Sequence, residues 1–155
     1  MQNYSVLMSV YHKEKPEYLR QAIESIQAQT FPTDDFVLVC DGPLNPELDA
    51  VIVAKQQEMG DTLNVVRLAK NGGLGNALNK GIRHCKNELI ARMDSDDIAY
   101  PDRCEKQLAV FGANPKVSIC SGVVEEFATD PEVVDTKRVP PETNAEIVEF
   151  AKKRN

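Results

Sequence analysis

Short apolar runs alternate with helix-spaced apolar positions through most of this sequence, and that alternation narrows the available folds more than any other feature. Residues 5–10, 36–40, 63–68 and 89–93 are the runs, each of strand length and each bounded by turn-forming or charged residues. Between them the period changes. After Pro16, Leu19, Ala22, Ile23 and Ile26 fall at i, i+3, i+4 and i+7, and after Pro46 come Leu48, Val51 and Ile52. The turn Asn71-Gly72-Gly73 leads to Ala77, Leu78 and Ile82, and Pro101 to Cys104, Leu108 and Phe111. A proline suits a first helical turn, where its missing N–H would have had no partner. Strands alternating with helices in this way imply an α/β domain, a mostly parallel sheet with helices on both faces.

The chain has 155 residues and 42% hydrophobic content, enough for one such domain and a stub. Residues 117–127 read as a last strand region, with Gly122 marking a bulge. Beyond it, 129–143 is a connector rich in proline and charge, and Asn144 is placed to cap a short amphipathic helix carrying Ile147, Val148 and Phe150.

Ligands of parallel sheets bind at the carboxyl ends of the strands. Asp41, Asn71 and the cluster Asp94-Ser95-Asp96-Asp97 each follow directly or closely on an apolar run, so three separated segments converge on one rim. In extended backbone, residues i and i+2 point the same way, which turns Asp94 and Asp96 toward one pocket and Ser95 away from it. Paired carboxylates at a rim suit Mg²⁺ or Mn²⁺, hard ions that keep open positions for water and for substrate phosphates. A nucleotide or another diphosphate is the ligand to expect. Each piece has a bland alternative: Asp41-Gly42-Pro43 is also a plain turn, Asn71-Gly72-Gly73 a tight connection, and the acidic cluster a solvated loop favouring the next helix N-terminus. Neither G-x-G-x-x-G nor a Walker A loop is present.

Other classes are excluded by composition. A net charge of −6 supplies no basic stripe for nucleic acid. No apolar run has membrane-spanning length and no signal-peptide core follows Met1, so a cytoplasmic protein is expected, with peripheral membrane association left open. Cys40, Cys85, Cys104 and Cys120 form no C-x-x-C pair and read as reduced thiols, Cys40 and Cys120 as core fillers. His12 and His84 have no ligand-like spacing and suit surface or capping positions.

In register, the motifs resemble a family. The strand Ser5-Val6-Leu7-Met8-Ser9-Val10-Tyr11, Gln29-Thr30-Phe31, Asp41, the run from Asn71 to Gly81, Asp94-x-Asp96-Asp97 and Pro101-Asp102-Arg103 occur in the order seen in family 2 glycosyltransferases. The likeness spans roughly residues 4 to 127. It implies the GT-A fold, a Rossmann-like α/β domain binding a nucleotide-sugar with Mn²⁺ or Mg²⁺ through a DXD motif. Position by position it implies Ser9 and Tyr11 near the base, Asp41 on a base edge, and Asn71 and Gly73 lining the nucleotide. Asp94 would contact ribose or donor sugar and share the metal with Asp96, and Ser95 would belong to the nucleotide-sugar site. The family pattern commonly carries Arg where this chain has Leu78, so a guanidinium contact to phosphate is missing there.

The resemblance further implies an inverting, metal-dependent transfer from a nucleoside-diphosphate sugar, a UDP-sugar ahead of a GDP-sugar, to a glycan or lipid-linked acceptor, in bacterial-type polysaccharide biosynthesis. Residues 1–128 would be the donor-binding domain and 129–155 a connector opening an acceptor half that this chain lacks. No residue is assigned as general base, since Glu125, Glu126 and Glu142 match no base motif; a homodimer is left open. A nucleotidyltransferase is disfavoured because the loop Tyr11-His12-Lys13-Glu14-Lys15 has no glycine.

Overall fold

The computed structural model describes residues 2–153; Met1 and the last two residues of the expected connector lie outside the described residues. Two compact units divide between Ala113 and Asn114. In the first unit, strands and helices alternate as β1 (Tyr4–Val10), α1 (Pro16–Gln27), β2 (Asp35–Cys40), α2 (Pro46–Met59), β3 (Leu63–Arg67), α3 (Leu74–Gly81), β4 (Leu89–Asp94) and α4 (Arg103–Ala113). The sheet is wholly parallel, in the order β3-β2-β1-β4.

That order fixes where the helices lie. Right-handed crossovers from β1 to β2 to β3 place α1 and α2 on one face, and the reversal that carries the chain from β3 back past β1 to β4 places α3 on the other. Alternation along β1 feeds both layers. Tyr4, Val6, Met8 and Val10 pack with Leu19, Ile23, Ile26, Leu48, Ile52, Cys104 and Leu108. Leu7, with Val37 and Val39 of β2, packs under Ala77 of α3. Every residue of β2 is buried, which is why its sequence after Asp35 is a continuous apolar run, Phe36 to Cys40. Burial pushes the Cys40 thiol up to about 11, as suits a core filler. Gly81 allows α3 its close approach, since a Cβ there would lie 2.5 Å from Leu7 and 2.6 Å from Val39. Leu78 is half-buried against this second core.

The opposite end of the sheet is pinned by a buried carboxylate. Asp35, fully buried, accepts from the Ser5 hydroxyl at 2.5 Å and from the Lys86 N–H at 2.7 Å, and the Asn87 N–H donates to Ser5 at 3.0 Å. The turn before β4 is thereby tied to the starts of β1 and β2.

In the second unit, β5 (Val124–Glu126) and β6 (Thr136–Arg138) pair antiparallel, followed by α5 (Asn144–Lys152). Four expectations are corrected here. Of residues 117–127 only β5 is strand, because Ile119 and Val123 are exposed and gain no sheet partner among the described residues. Cys120 therefore lies outside any strand, half-buried. The connector holds β6, ordered by Thr136 and Arg138 on the Glu126 carboxylate. The cap of α5 is Thr143, which accepts from the Glu146 N–H while Glu146 accepts from the Thr143 N–H. No described helix is long and apolar enough to cross a membrane.

Candidate functional site

The reversal of strand order falls between β1 and β4, and ligands of open parallel sheets bind in the crevice outside the carboxyl ends of the strands at such a point. Ser9 of β1 and Asp94 of β4 are register partners beside that crevice, so their side chains leave the sheet on the same face. Ser9 is half-buried. Tyr11, just past the strand, is 43% exposed, its ring edge-on to His12.

On the other side of β1 the rim is knitted by hydrogen bonds. The Asp41 N–H donates to Val10 and the Leu68 N–H to Cys40, which carries the β2 and β3 exits along one edge. Asp41 is 2% exposed, and its two carboxylate oxygens accept from the N–H groups of Gly72 at 2.8 Å and Gly73 at 2.9 Å. The Asn71 amide donates to the Asp41 carbonyl at 3.2 Å. Gly42 has φ +88°, and a Cβ on it would meet the Asn71 nitrogen at 2.5 Å, so only glycine permits these two loops to touch. Asn71 and Gly73 thus form an exposed turn whose shape is set from beneath by Asp41. Asp41, expected on a base edge, has its first engagement with this turn.

The acidic cluster is anchored from several directions. Ser95, buried, donates its hydroxyl to Glu14 at 2.7 Å; β4 ends at Asp94, so Ser95 and Asp96 lie in a turn, and the strand alternation expected to relate Asp94 to Asp96 does not extend past Asp94. Asp94 is paired with Arg92, two residues earlier on the same strand face, and Asp96 is exposed. Arg103 donates to the Arg92 carbonyl at 2.8 Å and to the Met93 sulfur at 3.0 Å. The Asp97 carboxyl is raised above the ordinary carboxylate range, first by partial burial and then by the negative Asp94 and Asp96 beside it, with Arg92 and Arg103 opposing.

The end of α1 clamps the segment that follows. Ser25 accepts the Ala99 N–H at 3.0 Å, Gln29 donates to the Tyr100 carbonyl at 2.8 Å and accepts from Cys104 at 3.0 Å, and the Thr30 N–H donates to Pro101 at 2.8 Å. Gln29-Thr30-Phe31 is thereby explained as a clamp on the loop beyond the acidic cluster. Glu14 and Gln29 had no sequence signal for these contacts, which join positions 81 and 71 residues apart. Arg92 had one: it lies two residues before Asp94 in a strand.

Among the described residues no group of three or more His, Cys, Asp and Glu is arranged to hold a metal ion. What the acidic cluster offers is the carboxylates of Asp94, Asp96 and Asp97, without sulfur or imidazole. That donor set fits a hard divalent ion whose shell is completed by water and substrate phosphates, and does not fit a closed protein cage.

Residues 5–155 match the family model described as Glycosyl transferase family 2. The chain is 41% identical over 152 residues to the amylovoran biosynthesis glycosyltransferase AmsE of Erwinia amylovora, covering 98% of this chain and 56% of that protein. It is 36% identical over 152 residues to the UDP-Gal:alpha-D-GlcNAc-diphosphoundecaprenol beta-1,3-galactosyltransferase of Escherichia coli, covering 98% of this chain and 54% of that protein. The chain thus spans about half the length of the curated relatives it matches. Among solved structures, S. aureus TarS 1-349 in complex with UDP-GlcNAc is similar with a TM-score of 0.61 and 27% identity, over 72% of this chain and 31% of that one. Such neighbours share the GT-A glycosyltransferase fold.

Proposed function

The chain belongs to glycosyl transferase family 2, and from that membership we propose that its first unit binds a nucleoside-diphosphate sugar at the β1–β4 crevice for inverting, metal-dependent transfer to a glycan or lipid-linked acceptor. One observation carries this proposal: Ser9 and Asp94 are register partners at the strand-order reversal, with the Asp41-shaped turn on the same rim. A UDP-sugar is favoured over a GDP-sugar, supported by the UDP-GlcNAc complex of TarS and the donor named for the Escherichia coli galactosyltransferase. Polysaccharide biosynthesis and a lipid-linked acceptor are supported by the names of the Erwinia amylovora and Escherichia coli relatives, and a cytoplasmic protein working at the inner membrane face is part of the same proposal.

Each residue has a role in that proposal. Ser9 and Tyr11 border the base and ribose. Each Asp41 oxygen has two lone pairs and gives one to a glycine N–H, leaving one on each for the N–H of uracil or guanine. Asn71 and Gly73 bring backbone close to the nucleotide. Buried Ser95 takes part through Glu14, by fixing the backbone between the two carboxylates. Asp94 and Asp96 would hold Mn²⁺ or Mg²⁺, which when bound supplies Lewis-acid stabilisation of charge building on the departing diphosphate. The donor-binding part lies within 1–128, and no residue of this chain is assigned as general base.

A thermal-shift screen of UDP- and GDP-sugars with Mn²⁺ and with chelator tests the assignment. Saturation at about 100 times Kd should stabilise the fold by roughly 2.7 kcal/mol. Asp96→Ala should remove the metal-dependent part of that shift and leave the unliganded melting point unchanged, because an exposed rim carboxylate carries little packing. An Asp96→Ala protein that still responds to Mn²⁺ would put the metal elsewhere.

A further inference from the structure

We propose that Arg92 is an exchangeable counter-ion, which occupies Asp94 when no metal is present and transfers to the donor diphosphate when a divalent cation takes the carboxylate. The proposal rests on the donor site described above and assigns Arg92 a role in it. Arg92 and Asp94 lie on the same face of β4, and the guanidinium is paired with the Asp94 carboxylate. The pair is open to solvent, the two side chains being 50% and 34% exposed. The strand beneath it is tied to α4, since Arg103 donates to the Arg92 carbonyl and to the Met93 sulfur.

Charge makes the exchange. Asp94, Asp96 and Asp97 put three carboxylates within four residues, and in the absence of metal Arg92 offsets part of their repulsion. A divalent cation that binds Asp94 competes with the guanidinium for the same lone pairs and repels it. The released side chain has a long, half-exposed stem rooted on β4, two residues before Asp94, the register partner of Ser9. A nucleoside diphosphate held at that crevice is the new anion there, and a guanidinium matches two phosphate oxygens with its planar fork. One residue thereby couples the two ligands: it weakens metal binding in the absence of nucleotide and strengthens nucleotide binding in the presence of metal, so metal and nucleotide bind cooperatively.

Calorimetry on wild type, Arg92→Met and Arg92→Lys separates these effects, using MnCl₂ alone and then UDP at saturating Mn²⁺. Removing a solvent-exposed competitor should tighten Mn²⁺ binding by about two- to fivefold in Arg92→Met. Losing a charge-assisted phosphate contact should weaken UDP binding by about tenfold or more. Arg92→Lys keeps the charge without the fork and should fall between. Mn²⁺ affinity unchanged or weakened in Arg92→Met, or UDP affinity unchanged, overturns the exchange. Failure of wild type itself to bind UDP with Mn²⁺ would overturn the donor site instead, so the two failures are distinguishable.

Discussion

Asp35→Ala should destabilise the first unit by about 2–6 kcal/mol, since burying a donor without its acceptor costs about 1–3 kcal/mol per group and two donors lose theirs. The Ser5 hydroxyl and the Lys86 N–H both end on the Oδ2 atom, inside a site with no solvent exposure. The other oxygen accepts no hydrogen bond among the described residues and faces the Lys86 ammonium at 3.8 Å. That ammonium belongs to a side chain 61% exposed, so screening leaves the ion pair a small share of the total. Asp35→Asn retains an acceptor for both donors and should cost less than half as much. Urea denaturation of the three proteins checks the order. Equal stability of wild type and Asp35→Ala would mean that the turn before β4 is held by something other than this carboxylate.

The second large effect is expected at Asp41. Asp41→Ala removes the acceptor of two turn N–H groups and the base contact proposed for the same oxygens. Charge-assisted hydrogen bonds are worth about 1.5–3 kcal/mol each, so UDP affinity should fall by tenfold or more. The turn groups at Gly72 and Gly73 are exposed and can turn to water, which keeps the loss of fold stability to about 1–3 kcal/mol. Titrating inorganic pyrophosphate beside UDP divides the two contributions. A loss confined to UDP assigns Asp41 to the base, whereas an equal loss for both ligands assigns it to the turn alone. UDP affinity unchanged in Asp41→Ala would remove the residue from the site.

The first unit was legible in the sequence because its central strands, β1 and β2, are buried on both faces and its helices on one. β2 has no exposed residue, and Leu19, Ala22, Ile23 and Ile26 all fall in the core, so burial wrote both periods into the order of residues. The second unit was less legible because composition there does not report burial. Val117, Ile119 and Val123 look like a strand, and extended pairing needs a partner that apolar residues alone do not supply. The cap at Thr143 was written plainly as Thr-x-x-Glu, one residue before the expected Asn144. At the site, the rim residues followed from strand ends, but what holds them did not. Asp35 lies beside Asp34 in a stretch that reads as a solvated turn, and only the convergence of β1, β2 and the β4 turn buries it. Glu14 reaches Ser95, and Gln29 reaches Tyr100, by folding alone.

Isothermal titration of UDP into this chain, with Mn²⁺ and then with chelator, tests metal-assisted nucleotide binding at the β1–β4 rim most directly. Binding should be at least tenfold tighter with Mn²⁺, and Asp96→Ala should abolish that difference. Equal affinity with and without the metal would contradict it, leaving Asp94 and Asp96 as a solvated acidic loop.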